Sequence, residues 1–128
     1  MSKRIVSSDK VPPSRSPLSQ ATVFGNLVFL SGRVGRHPQT GQLGRDIREQ
    51  TKFALEAIQA ILKAAGTSLE NVLQVTSFLV RSEDLEAYNE VYRQYIPNQW
   101  PARTTVVVPS VHPGVLVEIT AIAGIPGP

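Results

Sequence analysis

Two hydrophobic periods divide the chain. Residues 72–81 (VLQVTSFLVR), 103–108 and 115–123 carry short apolar, β-branched-rich runs, the mark of strands. Residues 21–32 (ATVFGNLVFLSG) hold two more such runs about Gly25-Asn26, a hairpin signal. Residues 3–7 predict a short edge strand. Between 47 and 65 the period lengthens: apolar or small residues recur at 47, 51, 54, 55, 58, 61, 62 and 65, one face of a helix. Asp46 precedes that run with Glu49 at capping-box spacing, and Gly66 follows as a stop. Residues 67–70 repeat the box spacing for a single turn. A second helix is expected from a Ser82 cap, with Leu85, Tyr88, Tyr92 and Tyr95 as its apolar stripe and Ile96-Pro97 as its end. His112-Pro113-Gly114 separates the last two strands. Five consecutive β-branched residues, Thr104 to Val108, predict a buried strand headed by Arg103, which shares a face with Thr105 and Val107.

The order is therefore strand, hairpin, helix, strand, helix, strand, strand. Two helices cover one face of so wide a sheet. Several strands are nevertheless apolar on both faces: Leu27 and Phe29 alternate with Val28 and Leu30, and Leu73, Val75 and Leu79 with Val72, Phe78 and Val80. The uncovered face needs a partner, and a homo-oligomer is expected.

Composition narrows the chemistry. At 128 residues, 41% hydrophobic and 18% charged, the chain has the length and balance of one globular domain spanning 1–128. It has no cysteine, hence no disulfide framework, thiolate nucleophile or cysteine metal site. No apolar run has the length of a membrane span, and the first ten residues lack the apolar core of a signal peptide; a cytoplasmic protein is expected. The net charge is +3, with nine basic residues against three acids in the first 52, an asymmetry that reads as a solvated face or as the mark of an anion or nucleic-acid partner. Residues 7–17 (SSDKVPPSRSP) predict an extended segment, either a free arm or a strap over a site. His37 and His112 each precede a proline in turn sequence, without metal-ligand spacing, and read as surface residues. No phosphate-loop spacing or nucleophile elbow is present.

What remains is polar residues where apolar ones are expected. Arg103 opens a strand. Glu118 lies in mid-strand within VLVEITAIAG, a costly place for a carboxylate unless it is paired, at an interface or functional. Ser31-Gly32-Arg33 ends another apolar strand, and Asn89 lies in the second helix. Glu118 reads equally as an ion-pair partner of Arg103 or Arg33, a rim residue, or a site residue.

LSGR after a strand, Asn89-x-x-Tyr92 in a helix, WPART and VEITAIAG together resemble the RidA/YjgF family of imine deaminases, formerly described as L-PSP endoribonuclease-like. The resemblance runs from the first strand to about Gly124. It implies an α+β, chorismate-mutase-like mixed sheet with two helices packed on one face, assembled as a homotrimer with sites in the clefts between subunits. It implies that Arg103 grips the α-carboxylate of a 2-imino acid and that Glu118 helps activate the attacking water. Main-chain groups at Thr105 would lie beside the imine, with Ser31, Gly32 and Asn89 shaping the pocket. The implied reaction is hydrolysis of C=N to a 2-keto acid and ammonium, with no metal or organic cofactor.

Three positions depart from the family pattern. Leu18 stands where a tyrosine usually enters the site, Thr105 where a cysteine is common, and Arg33 where the residue is usually uncharged or acidic. Arg33 therefore has two possible partners, Glu118 or a second acidic group on the substrate, with Leu18 as an apolar wall. Two other functions compete: a non-catalytic trimer that binds a 2-keto acid or similar carboxylate, and RNA binding or cleavage. The latter is disfavoured by the low aromatic content, 6%, and the lack of a histidine pair for phosphodiester cleavage.

Overall fold

The computed structural model describes residues 1–110 and 112–127. Seven strands form one mixed sheet: β1 (Arg4–Val6), β2 (Ala21–Phe24), β3 (Leu27–Leu30), β4 (Arg33–Val34), β5 (Val72–Leu79), β6 (Ala102–Val107) and β7 (Val117–Gly124). Their spatial order is β1-β2-β3-β7-β5-β6, with β4 also paired to β7. Every pairing is antiparallel except β5 with β6, the crossover that carries the second helix. The architecture is a mixed α+β fold, and among the described residues no helix is long and apolar enough to cross a membrane.

Helix α1 (Ile47–Ala64) follows the hydrophobic period of its sequence. Ile47, Thr51, Ala54, Leu55, Ile58, Ile61 and Leu62 are all buried. The Glu49 N–H donates to Asp46 Oδ1 at 2.9 Å, while Glu49 Oε1 accepts from the Arg45 N–H rather than from the cap residue itself. Gly66, at φ +91°, takes the left-handed conformation that closes the helix. Gln50 adds a buried polar residue to the same face: its amide donates to the carbonyls of Gly44 and Gly114, and its Oε1 accepts from the Leu116 N–H.

The second helix, α2 (Leu85–Tyr95), differs at its start. Residues 82–84 form a separate 3-10 turn, without a capping hydrogen bond from Ser82. Asp84 is buried there in an ion pair with Arg81 at 2.7 Å. Tyr88, Val91 and Tyr92 are buried, whereas Leu85 is exposed. Thr67 likewise does not cap a turn; its hydroxyl donates to the Gly124 carbonyl at 2.6 Å and ties the end of α1 to β7.

Both helices cover one sheet face, where Val23, Val28, Leu30, Val75, Leu79, Val117 and Ile119 join the core. A register shift between Val72 and Gln74 turns Leu73 outward and leaves Val72 inside. A bulge reverses alternation locally, so Leu73 does not share a face with Val75 as strict alternation predicts. The expected buried strand after Arg103 is also corrected. Strand β6 lies at the sheet edge with all but Thr105 exposed, because β5 flanks it on one side only. Phe24 (51% exposed), Phe29 (41%) and Leu73 (53%) leave the other sheet face apolar and open.

The proline-rich segment is a strap anchored by Gln20. Gln20 Oε1 accepts from the Ser8 N–H at 2.8 Å, its amide donates to the Val11 carbonyl at 3.1 Å, and Val11 is buried. His37 serves its own loop. Its Nδ1 accepts from the N–H groups of Gln39 and Thr40, and its ring meets Phe53 edge-on.

Candidate functional site

The parallel β5–β6 register pairs Val75 with Arg103 and Ser77 with Thr105. Arg103 and Thr105 therefore point to the helix side of the sheet. The Arg103 guanidinium carbon lies 4.9 Å from the Tyr92 ring centre and 5.5 Å from that of Tyr88. Cation–π attraction to two rings orients an arginine without neutralising it. The rings are themselves fixed: they lie 5.7 Å apart, and the buried Tyr88 hydroxyl is hydrogen-bonded to the buried Ser77 hydroxyl. Desolvation pushes the Tyr88 phenol up to about 12, with the Ser77 hydrogen bond and the Arg103 charge opposing it. Burial raises Tyr92 in the same sense, opposed first by the charge of Arg103.

Around Arg103 a cleft of about 230 Å³ is lined by Asn89, Tyr92, Arg93, Trp100, Pro101 and Arg103. Among the described residues three buried polar atoms have no hydrogen-bond partner: Asn89 Oδ1 and the Tyr92 hydroxyl in the cleft wall, the latter close enough to Arg103 to feel its charge, and Thr105 Oγ1, two residues along β6 from Arg103. Buried polar atoms are nearly always satisfied, and orphaned ones mark the place of a missing partner. Chemically, the guanidinium can take an anion, whereas Asn89 Oδ1, an acceptor only, needs a donor.

Glu118 belongs to the other face. It is in register with Phe78, and Phe78 is in register with Val106, so these three share the open side, opposite Arg103 and Thr105. The carboxylate lies over Gly32, where any Cβ would collide with it. A side chain at 32 would have to displace the Glu118 carboxylate from this position. Ser31 is a strut beside it: its hydroxyl donates to the Ser19 carbonyl at 2.6 Å and its N–H to the Gln20 carbonyl at 3.0 Å. Leu18, the residue before Ser19, is exposed. Burial lowers the Arg33 pKa, with the Glu118 charge opposing it. Among the described residues Arg33 forms no ion pair, and its buried Nε has no hydrogen-bond partner.

The sequence-predicted residues thus fall into two half-sites. Arg103, Thr105 and Asn89 gather on the helix face; Glu118 and Gly32 meet on the open face at the β4–β7 end, with Ser31 next in the chain, while Arg33, in register with the buried Ile119, turns away from the face of Glu118 although it still feels that charge. Within one chain the sheet separates them, and Glu118 pairs with neither Arg103 nor Arg33. Sequence reasoning assigned no site role to Tyr88, Tyr92, Arg93 or Trp100. Tyr88 and Tyr92 read as core stripe. Arg93 was legible only through its spacing, four residues after Asn89 on one helix face. Among the described residues no group of three or more His, Asp or Glu side chains is clustered for a metal ion.

Residues 9–125 match the family model described as Endoribonuclease L-PSP. A RutC family protein of Pyrococcus abyssi is 41% identical over 124 residues, which is 96% of this chain and 98% of the relative. The human 2-iminobutanoate/2-iminopropanoate deaminase is 37% identical, with 98% of this chain and 92% of the relative covered. Escherichia coli TdcF with bound serine has a TM-score of 0.90 at 33% identity, with 94% of this chain and 98% of that chain covered.

Proposed function

The chain belongs to the Endoribonuclease L-PSP family, also called RidA/YjgF, and from that premise we propose that it hydrolyses 2-imino acids and their enamine tautomers to 2-keto acids and ammonium. The observation that carries this reading is Arg103: an exposed guanidinium steadied by two aromatic rings and, among the described residues, without an ion-pair partner and beside three polar atoms that make no hydrogen bond. The name of the human relative supports the reaction class, and the serine bound to the Escherichia coli relative supports an amino-acid-sized ligand.

In this reading the substrate α-carboxylate takes two parallel hydrogen bonds from Arg103, which fix its orientation as well as its charge. The imine then lies along β6, against the main chain at Thr105. Water attacks the imine carbon as the Glu118 carboxylate takes its proton, and that proton is returned to the imine nitrogen, giving a carbinolamine. Glu118 then relays the carbinolamine hydroxyl proton to the amine, the C–N bond breaks as the C=O bond forms, and the ammonia released takes a solvent proton to become ammonium. Imine hydrolysis is intrinsically easy, so holding the reactants and one general base together is sufficient catalysis.

The Glu118 invoked here comes from a second copy. Arg103 and Glu118 face opposite sides of one sheet, so a neighbour must bring its open face to the β6 edge. Repeating that head-to-tail contact about a threefold axis closes a ring, and the homotrimer is part of the proposal. The same contact covers Phe24, Phe29 and Leu73.

The test couples the protein to a pyridoxal-phosphate dehydratase or a flavin amino-acid oxidase, either of which releases imines, and follows imine decay. Faster decay with the protein than in buffer is expected. Decay at the buffer rate across several amino acids overturns the activity and leaves a carboxylate-binding protein.

A further inference from the structure

The cleft at Arg103 is more cationic than one carboxylate requires. Two of its six lining residues are arginines and none is an acid. Arg93 and Arg103 form no ion pair among the described residues, and the adjacent Glu90 carboxylate is held by Arg48 at 2.7 Å. Two guanidinium groups without an ion-pair partner of their own, Arg93 only partly offset by the Glu90 charge, repel each other across one small cleft, and the repulsion is relieved when an anion lies against both.

Apart from Asn89 and the Tyr92 hydroxyl, the rest of the wall is apolar. Trp100 is 60% exposed, yet its indole N–H is already donated to the Ile96 carbonyl at 2.9 Å. The ring therefore offers the cleft a face rather than a donor. Gln99, at φ +48°, is the only described non-glycine residue at positive φ, and the chain turns there immediately before Trp100. Pro101 continues the wall. A short methylene chain fits such a surface, with an acidic group at each end for the two arginines.

We propose that Arg93 and Trp100 form a subsite for a second acidic group, so that this chain prefers dicarboxylic 2-imino acids and their keto-acid products over monocarboxylic ones. The inference rests on Arg103 as the carboxylate clamp of the proposed function. It assigns the second anion to Arg93, in the same cleft, rather than to Arg33, which lies beside Glu118.

Trp100 is the only tryptophan of the chain, so its fluorescence reports ligand entering this cleft. The probes are 2-oxoglutarate and 2-oxobutanoate, a dicarboxylic and a monocarboxylic keto acid. The native protein is expected to bind 2-oxoglutarate about tenfold more tightly or better, since a charge-assisted hydrogen bond is of that order. Arg93→Gln should bring the two affinities to within about twofold of one another, and Arg93→Lys should retain part of the gap. Arg93 is exposed on α2, and an unchanged thermal melt verifies folding of both variants. Equal affinities in the native protein overturn the proposal. So does an Arg93→Gln change that weakens both keto acids by the same factor. A diacid preference without imine hydrolysis supports the subsite and removes the deaminase reading; hydrolysis without that preference does the reverse.

Discussion

Arg103 is positioned by aromatic rings rather than by an acid. Rings at 4.9 and 5.5 Å restrict the guanidinium while leaving its full charge for a ligand. Lysine at this place keeps the charge and loses the planar fork. Arg103→Ala and Arg103→Lys are each expected to lower kcat/KM for carboxylate-bearing imines on the order of a hundredfold. Because the side chain is exposed, thermal stability should hardly move. Near-normal rates with lysine contradict the forked contact. The sequence advertised Arg103 and Glu118 because each is polar amid apolar strand residues. It did not advertise Arg93 or Trp100, since an arginine on a helix and an aromatic before a proline are ordinary surface residues. Their meaning comes from facing one cleft. The two partners considered for Arg33 are narrowed by its place: Glu118 is near enough to act on its charge, but no ion pair forms.

Helix α1 was legible almost residue by residue, because one buried face, one cap and one glycine stop all agree in the sequence. Asp46→Ala should cost about 1 kcal/mol through loss of the bond to the Glu49 N–H, measured by denaturant unfolding. A change near zero shows that the cap contributes nothing. Other elements were less legible for definite reasons. The serine and threonine at 82 and 67 have capping spacing, but Asp84 is engaged by Arg81 and Thr67 by the Gly124 carbonyl. Local spacing does not reveal such competing partners. The bulge at Leu73 breaks strict alternation. Strand β6 reads as buried because five β-branched residues suit a pleated sheet whether or not anything covers it; its edge position is a property of strand order.

At the scale of the molecule, the two apolar sheet faces were visible in the sequence, and the structure shows which one the helices leave open. The separation of Arg103 from Glu118 was not visible, since face assignments across β6, β5 and β7 require the register. That separation makes the central claim testable without a substrate complex. Arg103→Ala and Glu118→Gln chains, each inactive alone, are unfolded together and reassembled at equal amounts. If the site joins Arg103 of one copy to Glu118 of the next, random assembly restores about a quarter of the native sites. The account predicts recovery of imine hydrolysis near that fraction, and none when either variant is reassembled by itself. A mixed preparation that forms trimers and stays inactive contradicts it.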